Sequence, residues 1–206
     1  MNVSLLRAVV IALLGSSFLW SASHAIAQTA IIYVDRDNGS TNAPNFGQDG
    51  WEEAHKFLQD ALTAANALLA PPINFDTVEI WVSQGVYRPD QRAAYEGENG
   101  DCGPYASCDP EEHFSIPDSV TIRGGFVGGE EDPDERNSDI LANRTILDGD
   151  ILGDDQFSQG YDGDGDLELT FDNYDDNSEN IVTINGNVLI DRMTIRGANG
   201  ESGIRI

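Results

Sequence analysis

The chain has 206 residues and carries 36 Asp plus Glu against 11 Lys plus Arg, a formal net charge of −25. Such a surface repels nucleic acid and anionic lipid, which excludes both as partners, and it favours cations. The length suits one domain with a real core and does not require two.

Taken in order, the chain opens with Arg7, an apolar run from Ala8 to Trp20, and the small-x-small pattern Ala25-Ile26-Ala27. This is the composition of a signal peptide over 1–27, with Gln28 as the mature start and a secreted or cell-surface location. A single-pass anchor is the rival reading. The run is shorter than the roughly 20 residues a spanning helix needs, so no stable membrane span is expected after cleavage.

Ile31-Ile32-Tyr33-Val34-Asp35 is β-prone and ends in the turn composition Asp37-Asn38-Gly39-Ser40. Asp49 with Glu52 three residues later has the spacing of a capping box. From Trp51 through Ala54, Leu58, Ala61, Leu62, Ala65, Leu68 and Leu69 the apolar period is helical, and Pro71-Pro72 ends it. One amphipathic helix is predicted there.

Downstream the period changes to two. Val78 to Val82 alternates and Gly85 turns the chain; Ser119 to Arg123 and Arg144 to Asp150 follow as further strand-then-glycine units. Between them, Cys102 and Cys108 lie close together in a polar loop of an exported chain, which predicts a disulfide. Zinc is the alternative, but it needs more ligands than His113 supplies.

In Ile181 to Gly197 three apolar pairs, Val182/Ile184, Val188/Ile190 and Met193/Ile195, are separated by minimal corners. Three short strands of this kind describe one coil of a three-faced solenoid. A hairpin across Asn185-Gly186 is the competing reading. Thr121-Ile122-Arg123-Gly124 returns as Thr194-Ile195-Arg196-Gly197, which reads as the same wall strand in separate coils with equivalent outward arginines. On this reading the helix covers the open end of the stack; an ordinary core helix is the alternative.

The ordered set Tyr33-Val34-Asp35, Trp51, Leu58-Gln59-Asp60-Ala61-Leu62, Ile80-Trp81-Val82, Gly85 to Pro89, Ile122 to Phe126, Arg144 to Asp150, Asn180-Ile181-Val182 and Thr194 to Gly197 resembles the amino-terminal part of secreted pectin-lyase-like proteins of planctomycete type. These are akin to polymorphic outer-membrane proteins. The resemblance implies an all-β, right-handed parallel β-helix with an N-terminal amphipathic capping α-helix. It also implies that 28–206 form the cap and first coils of a longer protein cut short at its C-terminus. Members range from polysaccharide lyases and hydrolases to adhesins and scaffolds, so fold alone does not fix function. The expectation is a surface scaffold or binding protein associated with polysaccharide or cell-surface components. The amino-terminal part of a polysaccharide lyase or glycoside hydrolase is the alternative.

Three sets of residues carry chemistry. Asp162, Asp164, Asp166 and Glu168, spaced by glycines, offer the oxygens calcium takes, against the plainer reading of a solvated acidic loop. Asp148 and Asp150 sit two apart and can serve as paired carboxylates, although Asp-Gly-Asp is also common turn punctuation and no complete catalytic site is expected. Asp154, Asp155, Asp175 and Asp176 read as surface charge. His55 and His113 are too isolated for a metal site or a nucleophilic triad.

Overall fold

A computed structural model describes residues 27–94, 109–200 and 203–206. The predicted Cys102–Cys108 bridge, and all but the last residue of the predicted leader, lie outside these residues. The strands are β1 (Thr29–Val34), β2 (Thr77–Ser83), β3 (Gly85–Tyr87), β4 (Phe114–Ile116), β5 (Val120–Phe126), β6 (Thr145–Asp148), β7 (Gln156–Tyr161), β8 (Leu167–Asp172), β9 (Val182–Ile184), β10 (Val188–Asp191), β11 (Met193–Arg196) and β12 (Ile204–Arg205). The α-helix, α1, spans Leu58–Leu69.

The strands form a four-stranded parallel sheet in the order β1-β2-β5-β10 and two three-stranded parallel sheets, β11-β6-β3 and β12-β9-β4. An antiparallel hairpin, β7-β8, completes them. In the largest sheet the register aligns Ile32, Ile80, Ile122 and Ile190 in one column. The first three are fully buried, and each such side chain contributes about 1.5–3 kcal/mol of transfer free energy. Tyr87 and Leu147 supply the second sheet's inner face, and Phe114, Ile116 and Val182 the third's. All of them meet in one hydrophobic cluster with Leu58, Ala61, Leu62, Ala65 and Leu68 of α1.

These groupings correct the expected fold class. The strands fall into small separate sheets of three and four, with an antiparallel pair among them, and no single right-handed β-helix is present among the described residues. The class is mixed rather than all-β, because α1 contributes a whole apolar face to the cluster that the sheets enclose. The physical reason lies in the connections. Apart from β1-β2 and the β7-β8 hairpin, consecutive short strands join different sheets and pair in parallel with strands distant in the chain, so among the described residues no ladder holds more than four strands.

The segment 181–197 forms the three short strands expected of it, β9, β10 and β11, and not the competing hairpin: each joins a different sheet, parallel to β4, β5 and β6. One local expectation does change. The two Thr-Ile-Arg-Gly stretches are not equivalent, since the first lies in β5 of the large sheet and the second in β11 beside β6. Period two specifies which side chains share a face, and says nothing about which strand is the neighbour.

The helix begins later than its apolar period suggests. Trp51–Glu53 is a 3-10 turn capped without any side-chain bond, so the Asp49/Glu52 capping box is unused. Beyond it the backbone of His55 runs extended, donating to the Tyr33 carbonyl at 2.8 Å and accepting from Asp35 N–H at 2.8 Å. Strand-like bonding to β1 outweighs helix propensity over these residues.

The outer face of the large sheet is aromatic. Trp81 stacks on Phe126 with centroids 5.0 Å apart, Tyr33 meets Trp51 and Trp81 edge-on, and Arg136 lies 5.0 Å above Phe126. The loop after β5 closes over this layer, with Trp51 Nε1 donating to the Glu130 carbonyl at 2.9 Å. Trp81 therefore packs under a loop and is buried, although it points away from the core. No helix among the described residues is long and apolar enough to cross a membrane.

Candidate functional site

The ends of β6 and β11 are pinned together by two glycines. Gly149 N–H donates to the Arg196 carbonyl at 2.8 Å, and a Cβ on Gly149 would collide with the Gly197 carbonyl. Gly197 itself has φ +77°, and a Cβ there would come within 2.8 Å of Asp148 Oδ1. This contact requires hydrogen at both positions. It brings Asp148, Asp150 and Arg196 to one mouth, although β6 stops at Asp148 and the two carboxylates do not share a continuous strand.

Asp148 is buried, and its Oδ2 accepts from Arg196 Nη2 at 2.7 Å and Nε at 3.1 Å. That hydrogen bond raises the Arg196 pKa above the ordinary arginine value. Asp150, also buried, holds the next loop by its side chain. Its Oδ1 accepts from Gly153 N–H at 2.6 Å and Asp154 N–H at 3.1 Å, and its Oδ2 from Asp155 N–H at 3.3 Å. Arg88 Nε donates to the Asp150 carbonyl at 2.6 Å, and the guanidinium lies so close to Gly153 that a Cβ would collide with it.

Around these groups Arg88, Asp148, Asp150, Asp155, Tyr174 and Arg196 line a polar pocket of about 510 Å³. Beneath it, Asn177 Nδ2 donates to Asp155 Oδ2 at 3.0 Å, and Asp176 Oδ2 accepts from Leu152 N–H at 2.9 Å. Burial pushes the Asp155 carboxyl above its ordinary range; the Asn177 bond opposes this, and the charges of Asp150, Asp176 and Asp148 add to it.

Comparison with protein-family models, with curated proteins and with solved structures found no match. Function is therefore argued from the site alone.

The residues singled out in the sequence divide between two places. Asp148 and Asp150 line the pocket. Asp162, Asp164, Asp166 and Glu168 lie 12 or more residues further along, in and beside the turn of the β7-β8 hairpin, where all four are exposed. Asp162 Oδ1 accepts from Asp164 N–H and Asp166 N–H at 2.9 Å each, which makes it the organiser of that turn. Among the described residues, the group bringing three carboxylates within 4.8 Å of one another is Asp150, Asp154 and Asp176. Asp154 and Asp176 look like solvated charge in sequence; 22 residues separate them, and no local spacing announces the convergence.

Arg123, the partner arginine in the sequence echo, is not near this pocket. It bonds Glu79 at 3.0 Å and lies 3.6 Å from Asp191. Burial raises the Glu79 pKa, but the hydrogen bonds from Arg123 and Trp81 and the nearby guanidinium charges outweigh it and hold the group below its ordinary value.

Proposed function

We propose that this protein is an exported or cell-surface binding protein whose pocket between β6 and β11 takes a neutral, polyhydroxylated ligand of the carbohydrate class. The observation that carries the reading is the state of the two buried carboxylates. Asp148 is committed to Arg196 and Asp150 to three backbone N–H groups, so neither stands free as a base. Acid–base catalysis of glycoside cleavage needs a positioned carboxyl with room for the reacting atoms. Carboxylates fixed beside guanidinium donors, with Tyr174 also in the lining, instead suit hydrogen bonding to ligand hydroxyls. The strongly acidic chain favours a neutral over an anionic saccharide. The amino-terminal leader and the ordered motifs similar to carbohydrate-associated secreted proteins support the location and ligand class.

The test combines glycan-array screening and calorimetry on the full chain with assays for new reducing ends and for unsaturated products. Saturable binding of a neutral oligosaccharide without turnover, weakened at least tenfold by Arg196→Ala, is the expected result. Turnover abolished by Asp148→Ala or Asp155→Asn would make the protein a lyase or hydrolase and overturn the proposal.

A further inference from the structure

Arg88 follows directly on β3, is half-buried, and lines the polar pocket with a guanidinium that is only partly used. Its Nε donates to the Asp150 carbonyl at 2.6 Å. A guanidinium carries five N–H donors in a planar fork, and those on Nη1 and Nη2 find no acceptor among the described residues. Nor does a carboxylate among these residues pair with it, although Arg92, Arg123, Arg136 and Arg196 each have such a partner in a chain of 36 acidic residues. The fork is nonetheless held in place. The Nε bond fixes one edge, and Gly153 makes room for the other: a Cβ there would lie 2.4 Å from Nη2 and 3.0 Å from Cζ. Gly153 N–H is bonded in turn to the buried Asp150 side chain at 2.6 Å. Side-chain entropy has thus been given up for a pair of donor nitrogens that the described fold does not itself use.

We propose that Arg88 sets ligand specificity in this pocket, its Nη1 and Nη2 donating to two hydroxyl oxygens on neighbouring carbons of a neutral sugar ring. The inference rests on the carbohydrate reading above and names the part of the ligand that is read. Gauche hydroxyls on adjacent ring carbons set two acceptors side by side, which a rigid planar fork matches in bidentate fashion and a lysine ammonium, a single point charge, does not. Each hydroxyl is also a donor, and Asp155 in the same lining supplies a carboxylate to accept from it. A sugar acid would offer the fork a charged partner, but Asp150 and Asp155 share the lining and repel it. Arg196 is not equivalent to Arg88, because Asp148 already takes its Nε and Nη2.

The experiment titrates the full chain by calorimetry with cellobiose, lactose and mannobiose, which between them vary the axial and equatorial hydroxyls around the ring, and then with monodeoxy derivatives of whichever binds. Removing either hydroxyl of one adjacent pair is expected to weaken binding about tenfold or more, and removing a hydroxyl elsewhere on that ring by less than about threefold. Arg88→Lys is expected to weaken the intact sugar about tenfold or more and to bind the two sensitive deoxy sugars no worse than the intact one. That loss of coupling is the readout a merely structural role for Arg88 would not produce. If Arg88→Lys fails to fold, the deoxy series on the parent protein decides. Penalties spread evenly over the ring, or an Arg88→Lys variant that keeps the deoxy penalties, would overturn the proposal and leave the carbohydrate reading standing. Absence of binding by all three sugars would overturn both.

Discussion

β2 and β7 are both short alternating strands, yet they have opposite fates. β2 lies between β1 and β5 with α1 against its inner face, and Ile80 is 0% exposed. β7 pairs only with β8 in its sheet, and Phe157 and Tyr161 remain 58% and 74% exposed. The same periodicity therefore yields core in one place and an exposed ribbon in the other. The difference is a second layer: a strand buries its apolar face only where another element packs over it, and a lone hairpin gains little from its side chains.

That contrast can be broken most directly in the isoleucine column. Ile122→Ala should destabilise the fold by about 2–5 kcal/mol in urea-induced unfolding, the ordinary cost of a core truncation. A loss below about 1 kcal/mol would mean that the inner layer is loosely packed. The next largest effect is expected at Thr145, a buried hydroxyl that accepts from Gly125 N–H at 2.9 Å and donates to the Ser83 carbonyl at 3.0 Å. Thr145→Val keeps the shape and strands the Gly125 donor, at a cost of about 1–3 kcal/mol.

A smaller, pH-dependent effect comes from His55. Burial lowers its pKa, against the opposing influence of the Phe46 backbone and the Asp60 charge, so the folded state holds a neutral imidazole that the unfolded chain protonates more readily. Stability is then full above the ordinary histidine pKa of about 6.5 and declines as pH falls through it. Tm should drop between pH 7 and pH 5, and the slope should flatten in His55→Gln. The smallest effect belongs to the hairpin: Phe157→Ser should change stability by no more than about 0.5 kcal/mol, and a larger loss would show that the ribbon is supported after all.

The core was far more legible in the sequence than the site. β1, β2 and β6 lie within two residues of where alternation places them, because Ile32, Ile80 and Leu147 have to point inward. The sheets they join could not be read, since each parallel partner is distant in sequence and the apolar pattern is the same for every candidate neighbour. The hairpin was hidden inside an acidic stretch whose carboxylates drew attention away from Phe157, Tyr161, Leu167 and Leu169. Asp148 and Asp150 were visible as a pair. Arg88, Asp154, Tyr174, Asp176 and Asn177 were not, because only the Gly149–Gly197 contact and the return of the chain after β8 bring them to the same mouth.

The Gly149–Gly197 contact also sets how this pocket can be re-engineered. Its two walls are separated by a hydrogen atom's width at that point, so any side chain there acts as a wedge driven between β6 and β11 rather than as a new lining group. Altered ligand preference has to be sought at other lining residues, such as Tyr174 and Ala198. The glycines behave like the pin of a hinge that has been welded: they contribute no chemistry, and they hold the spacing at which Asp148 and Arg196 meet.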